Sequence, residues 1–444
     1  QGPAPTTKTT MTNRLISAVL LLCIALSAAC QKISTPAPPK NVILMIGDGM
    51  GYNCVLAADY YFGPSPLDAF PYKAAVSTTF AGSSYDPALA WSDPAYLLKE
   101  YTESAAAATA LATGFKTTLN TVGLSATGDT VMNLTEFAKS IGKSAGVITS
   151  VPFSHATPAG FLVHNRSRSN YPQIAKDILF KSRCDVVMGC GNPEFDDDGL
   201  PLGDHWTNAG YVGDSALWQA LRANPGKMNG WTVLTKLDDI RKLSSGSTPN
   251  RVLVCPEVNS TLQEGRKGGV RESDLTPPFT TPLNAGVPTL AEMVQGGLNI
   301  LDNNPDGFFL MVEGGAIDWA NHSNQQGRML EEMKSFRDAI ETVIAWVQSN
   351  SSWDETLVIV TADHESGNLW GGAPFTPVID NGTGNMPGMQ YNSYDHTNCL
   401  VPFYARGNGG SLLIGAADET DPVRGIYLQN NEIPDCIFTL WNRK

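Results

Sequence analysis

Residues 41–51 read NVILMIGDGMG, an unbroken apolar run that ends on Asp48 with a glycine on either side of the carboxylate. Runs that are apolar on both faces belong to strands buried inside a parallel sheet. The flanking glycines let the backbone turn closely around a ligand. Further along the chain, similar runs recur at Gly146–Val151, Asp185–Gly189, Gly307–Glu313, Thr356–Ala362 and Val401–Ala405. Helical patterns separate them at Ala105–Thr113, Leu134–Lys143, Tyr171–Lys181, Leu290–Leu301 and Met329–Gln348. The alternation predicts an α/β fold: a three-layer sandwich with a mainly parallel central sheet and helices on both faces. Ligands of such sheets gather at the carboxyl ends of the strands. Residues 192–288, rich in Gly, Pro, Asp and Ser, break the pattern. They are expected to form one long insertion within a single domain spanning 41–444.

The chain has 444 residues, 42% of them hydrophobic, with 43 acidic against 30 basic side chains and a net charge of −13. The apolar fraction excludes a disordered chain, and the acidity argues against a nucleic-acid-binding surface. An acidic protein still handles anions if bound cations invert the local field. Near the front, Arg14 precedes the apolar run Leu15–Leu26 and then Ser27, Ala28, Ala29 and Cys30. That run is shorter than the ~20 residues a bilayer span needs, so residues 1–29 are expected to be a cleaved export leader. Cys30 resembles a lipidated cysteine, with ordinary cleavage and release as the alternative. Residues 30–40, with Pro36, Pro38 and Pro39, suit a tether. The expected location is exported, either periplasmic or membrane-anchored through Cys30. Cys54, Cys184, Cys190, Cys255, Cys399 and Cys436 form no CxxC pair, which argues against a thiolate zinc site.

The polar clusters fall just after the strands. Glu313 ends GFFLMVEGG; Asp363 and His364 end TLVIVTADHESG; His396 stands in YDHTN. Asp318 and His322, in EGGAIDWANH, share one face if that segment is helical, a spacing that suits one metal ion. So many carboxylates and imidazoles at strand ends are costly to bury without a cation. A donor set without thiolates suits zinc together with magnesium or manganese. Ser104, in TES before AAAATALATG, stands near a helix N-terminus, where an anion is favoured. It reads either as a nucleophile or as a plain helix cap. Thr157 in SHATPAG and Arg168 in HNRSR add a hydroxyl and a guanidinium suited to phosphate oxygens. His164 reads as packing or surface, His205 as solvated, and FDDDG (195–199) as an exposed acidic loop rather than a calcium site.

Taken together, VILMIGDGMG, ESAAAATALATG, SHATPAGFLVHNRSR, VEGGAIDWANH, VTADHESG and DHTN resemble the motifs of alkaline phosphatases, in order, from Asn41 to about Gly407. The resemblance implies that Ser104 is phosphorylated and that Arg168 clamps the phosphate. It implies one zinc held by Asp318, His322 and His396, and a second held by Asp48, Asp363 and His364. A magnesium ion would share Asp48 with Thr157 and Glu313. His155 and Trp319 match the branch with aromatic side chains at two supporting positions, where another branch has Asp and Lys. The departure is Glu103, where the family usually has Asp. The expected activity is phosphomonoester hydrolysis through a phosphoserine, by a homodimer. In-line displacement between two cations ~4 Å apart is consistent with that chemistry. The rivals are a phosphodiesterase of the same superfamily and an exported lipoprotein that only binds metal or phosphate. Sulfatases carry a Cys- or Ser-x-Pro-x-Arg motif; the one match, Ser247-Thr248-Pro249-Asn250-Arg251, falls in the 192–288 insertion, apart from the strand-end clusters, so a sulfatase is disfavoured.

Overall fold

The run 41–47 is a strand, and it lies at the middle of the molecule. The structure is a computed structural model that describes residues 1–2, 38–206, 209–223, 228–267 and 275–442. Residues 3–29 of the expected leader, Cys30 and all but the last three tether residues lie outside the described residues.

In chain order the strands are β1 (Asn41–Gly47), β2 (Tyr72–Ser77), β3 (Ser144–Pro152), β4 (Val186–Cys190), β5 (Thr232–Leu234), β6 (Val252–Val254), β7 (Phe308–Gly314) and β8 (Thr356–Ala362). They continue with the short β9 (Glu365–Ser366), β10 (Leu369–Trp370), β11 (Gln390–Tyr391) and β12 (His396–Thr397), then β13 (Val401–Gly407), β14 (Glu419–Asp421) and β15 (Gly425–Gln429). Eleven of them form one sheet, ordered β14-β15-β2-β13-β8-β1-β7-β3-β4-β6-β5. From β8 through β1, β7, β3, β4 and β6 to β5 every pairing is parallel. β13 runs antiparallel to both β8 and β2. Every residue of β1, β7 and β8 is buried, as their two-faced apolar sequences require.

Two groups of helices pack within themselves and also against β3 or β7. One contains Leu290–Leu301 and Gln326–Asn350; the other contains Ser104–Thr113, Leu134–Ser140 and Ala156–Leu162. The α/β sandwich expected from the sequence is therefore present. Two details differ. The helix expected over Leu134–Lys143 stops at Ser140, because Gly142 takes a left-handed φ of 85° that turns the chain into β3. Residues 192–288 are not merely an excursion, since β5 and β6 complete one end of the sheet. The FDDDG segment is a hydrogen-bonded turn: Asp196 accepts from the Asp198 and Leu200 amides, and Asp197 from that of Ser260.

Candidate active site

Parallel register sets Gly47, Gly314 and Ala362 abreast. Asp48 and Asp363 thus emerge one residue beyond the sheet, and Glu313 one residue before its end. Gly49 (φ 74°) continues the turn; a Cβ there would lie 2.8 Å from the Asp318 Cα and 2.9 Å from the Ser366 Oγ. Only glycine lets β1 pass so close to the next segment. Gly49 N and His364 N donate to Asp363 Oδ1 at 3.1 and 2.9 Å, which fixes that carboxylate. Residues 316–322 are helical as expected, and His322 Nε2 lies 3.4 Å from Asp318 Oδ1.

Two groups of three converge, Asp48–Asp363–His364 and Asp318–His364–His396, with ligand atoms within 4.8 Å of one another in each. His322 joins the second group, its Nε2 3.0 Å from that of His396. The resemblance had divided the residues differently, with His364 in one set only; here it stands between both. The tautomers follow from the backbone. His322 Nδ1 faces the Tyr394 carbonyl, and His396 Nδ1 faces the Thr102 carbonyl at 2.9 Å. A carbonyl only accepts, so each Nδ1 donates. In the neutral rings both Nε2 lone pairs then point at each other beside Asp318. That arrangement needs a shared proton or a cation between them.

The carboxylates make the same demand. Asp48 Oδ1, Glu313 Oε1 and Asp363 Oδ2 are buried with no hydrogen-bond partner. Burial, followed by the Asp363 charge, holds the Asp48 carboxyl far above its usual range. Burial first, then Asp318, pushes Asp363 up to about 7, and burial pushes Glu313 up to about 8. Asp318 is buried too, yet hydrogen bonding and charge from His396 hold it well below the carboxylate range. Thr157 donates to Asp48 Oδ2 at 3.3 Å, and Thr149 donates to Glu313. Clustered oxygens and imidazole nitrogens without thiolates fit hard or borderline divalent cations.

Ser104 is not the helix cap. Glu103 is: its carboxylate accepts from Ala105 N at 2.9 Å and Ala106 N at 2.8 Å. The buried Ser104 hydroxyl is left 3.3 Å from His364 Nε2, beside both clusters. Glu103 also accepts from Asn120 N at 2.8 Å and from Arg168 Nη1 at 2.5 Å. The neighbouring Arg168 N donates to Asn120 O at 2.8 Å, so one carboxylate organises both the helix start and the guanidinium. His155 stacks on Tyr171 and meets Trp319 edge-on. Burial, then Arg168, lowers His155 to about 3, so the ring is neutral.

Sequence reasoning missed several supporting residues. Ser366 Oγ donates to Asp318 and lies 3.3 Å from His364 Nδ1; Thr149, Asn120 and the Thr102 and Tyr394 carbonyls also serve the site. The position of Ser366, two residues after His364, was the one available signal. His164, read as packing or surface, bonds Gly123 O and Glu136, while His205 is exposed.

A family model described as alkaline phosphatase matches residues 39–424. The chain belongs to the alkaline phosphatase family. It is 31% identical over 350 residues to alkaline phosphatase 4 of Bacillus subtilis (strain 168), covering 78% of this chain and 65% of that protein. With alkaline phosphatase H of Pseudomonas aeruginosa (strain UCBPP-PA14) the identity is 28% over 436 residues, covering 89% and 86%. The chain spans just under two thirds of the length of the Bacillus subtilis relatives that it matches. The fold is similar to the solved alkaline phosphatase from the Antarctic bacterium TAB5, with a TM-score of 0.65 at 23% identity over 91% of this chain and 98% of that one. The order of segments read from the sequence is thus that of the alkaline phosphatase family.

Proposed function

We propose that the chain hydrolyses phosphomonoesters to an alcohol and phosphate through a phosphoserine at Ser104, with two zinc ions and one magnesium. The observation that carries this reading is the placement of Ser104 Oγ, uncommitted to capping, 3.3 Å from His364 Nε2 between two clusters of unsatisfied ligands. Asp318, His322 and His396 would hold one zinc, Asp48, Asp363 and His364 the other, and Asp48, Thr157 and Glu313 the magnesium. When bound, the cations would neutralise phosphoryl charge and lower the pKa of hydroxyls that they contact.

The chain's own residues do the rest. Arg168 presents a planar fork to two phosphoryl oxygens, and its ion pair with Glu103 holds that fork in place. The helix N-terminus beside Ser104 favours an anion there. Ser104 Oγ attacks phosphorus in line as the ester oxygen leaves. Water then attacks the phosphoserine from the vacated side and restores the hydroxyl. None of these contacts touches the organic group, so a broad range of monoesters is expected. His155 and Trp319 support the region around Arg168. The chain acts as an exported homodimer, periplasmic or anchored through a lipidated Cys30.

The test is aryl phosphate hydrolysis before and after chelation, with zinc and magnesium restored separately, together with acid trapping of labelled phosphate. Loss on chelation, recovery with zinc, a further gain with magnesium and label at Ser104 are expected. Full activity in stripped protein, or label on another residue, overturns the proposal.

A further inference from the structure

Two of the segments that carry site residues open with a tyrosine. Tyr101 begins YTES, three residues before Ser104, and Tyr394 begins YDHTN, two residues before His396. Both lie where the backbone orients the imidazoles. The Thr102 carbonyl, next to Tyr101, accepts from His396 Nδ1, and the Tyr394 carbonyl accepts from His322 Nδ1. His364 stacks on His396 with ring centroids 3.6 Å apart, and the Tyr101 ring meets His396 edge-on at 6.0 Å. Exposure rises along that series, from 0% at His364 through 10% at His396 to the half-buried Tyr101.

The same gradient tells where the site opens. His322 has 35% of its side chain exposed and Asp318 8%, while Asp48, Asp363 and His364 have 1% or less. On the phosphomonoesterase reading, on which this inference rests, Ser104 attacks from beside His364. In-line displacement sends the ester oxygen out on the opposite side of phosphorus. That side is the open end, at Asp318, His322 and His396. The organic group then emerges past His322 and His396, where Tyr101 and the 68% exposed Tyr394 stand. Neither phenol hydroxyl bonds another described residue, so both stay available to a ligand. Glu100 and Asp395, their exposed sequence neighbours, place negative charge at this rim and disfavour a second anionic group on the substrate.

We propose that Tyr101 and Tyr394 form a subsite for the leaving group, and that it favours esters of neutral aromatic alcohols among the monoesters that the site accepts. The aryl ring packs edge-on or offset against the tyrosine rings, outside the contacts made to the phosphoryl group. A pair of aromatic rings in such contact gains about threefold to tenfold in affinity beyond the area it buries. Tyr101, held edge-on to His396, contributes the larger share, because less of its freedom is lost on binding.

The test is calorimetric titration of the metal-loaded full chain with benzylphosphonate and ethylphosphonate, in which a methylene replaces the ester oxygen. Hydrolysis of phenyl and methyl phosphate is followed in parallel. Both phosphonates should be displaced by inorganic phosphate, and benzylphosphonate should bind about tenfold tighter. Tyr101→Ala should reduce that preference at least about threefold, Tyr101→Phe should retain it, and Tyr394→Ala, on an exposed turn, should reduce it less. The phenyl-to-methyl ratio of kcat/KM should fall by the same factors. Equal weakening of both phosphonates by Tyr101→Ala would mean that the ring only supports His396, and it overturns the proposal. So does a wild type that binds the two alike, or binds neither. Hydrolysis without the preference removes this subsite alone. The preference without hydrolysis or phosphoserine removes the phosphatase reading and leaves the subsite standing.

Discussion

Two clusters of buried charge show opposite solutions to one problem. At the foot of the helix Gln326–Asn350, Glu331 accepts from Arg266 at 2.8 Å, from Arg328 at 3.3 Å and from the Phe279 amide. Arg266 spends its remaining donors on the carbonyls of Gln263, Thr281 and Pro282. That cluster closes on itself and fastens residues 192–288 to the core. At the ends of β1, β7 and β8 the carboxylates of Asp48, Glu313 and Asp363 each keep an oxygen without a donor. The nearby guanidinium, Arg168, is already paired with Glu103. Buried carboxylates are stable when arginine, a proton or a metal answers them. The first cluster carries its answer in the chain; the second lacks it.

Metal removal should break this symmetry most strongly. Stripping the protein should cost at least ~10³-fold in phosphatase turnover, since the phosphoryl charge loses its principal counter-charge. The same treatment should leave the Glu331 cluster intact. In stripped protein Asp363→Asn should raise the midpoint of thermal unfolding, because it removes one of several repelling charges; with metals restored it should lower it. A variant that behaves the same way in both states would show that Asp363 does not face a cation.

Breaking the closed cluster should be costly in a different currency. Glu331→Gln leaves Arg266 and Arg328 without their shared carboxylate, and loss of one partner of a buried pair costs about 3–5 kcal/mol. Denaturant unfolding should register that loss, while turnover per folded molecule stays near wild type. Unchanged stability would mean that water already reaches the pair.

These contrasts also mark where the sequence is legible. β8 spans the residues its apolar run predicts, and Asp48, Asp363 and Glu313 stand where strand ends put them. Hydrophobic pattern encodes burial, and register follows from it. It does not encode direction, so antiparallel β13 carries no warning of its reversal, and three-residue β5 and β6 are too short to show a period. The sharing of His364 between two clusters and the capping by Glu103 depend on rotamers and loop closure rather than spacing. The rim of Tyr101 and Tyr394 brings together two distant segments, which no local reading assembles.

A smaller effect comes from Glu332, beside the closed cluster. Burial, then Glu264 and Glu331, raises its carboxyl to about 8. In the unfolded chain it titrates near 4.5. Between those values the folded state holds a proton that the unfolded state has released, so stability falls as pH rises through that window. Glu332→Gln should flatten the decline between about pH 5 and 8 and leave the protein relatively more stable at the alkaline end. Parallel stability–pH curves for the two proteins would show that Glu332 is ionised in the fold.

The smallest expected effect concerns Glu103, whose carboxylate serves both the helix and the clamp. Ala105 N and Ala106 N bond different oxygens of Glu103, so Glu103→Gln keeps an acceptor for one of them and loses the charge facing Arg168. Glu103→Ala loses both. A charge-assisted hydrogen bond is worth about 1.5–3 kcal/mol, partly offset here because Arg168 remains free to bind phosphate by itself. Glu103→Ala should therefore weaken inhibition by inorganic phosphate about tenfold, with Glu103→Gln close behind. Glu103→Asp keeps the charge with one methylene fewer, and it should stay within about threefold of wild type. Helix stability separates the two roles: Glu103→Ala, which loses both capping bonds, should lower the unfolding midpoint more than Glu103→Gln, which keeps one. If all three variants inhibit like wild type, the 2.5 Å contact does not hold the clamp, and Arg168 is oriented by its own backbone bond to Asn120.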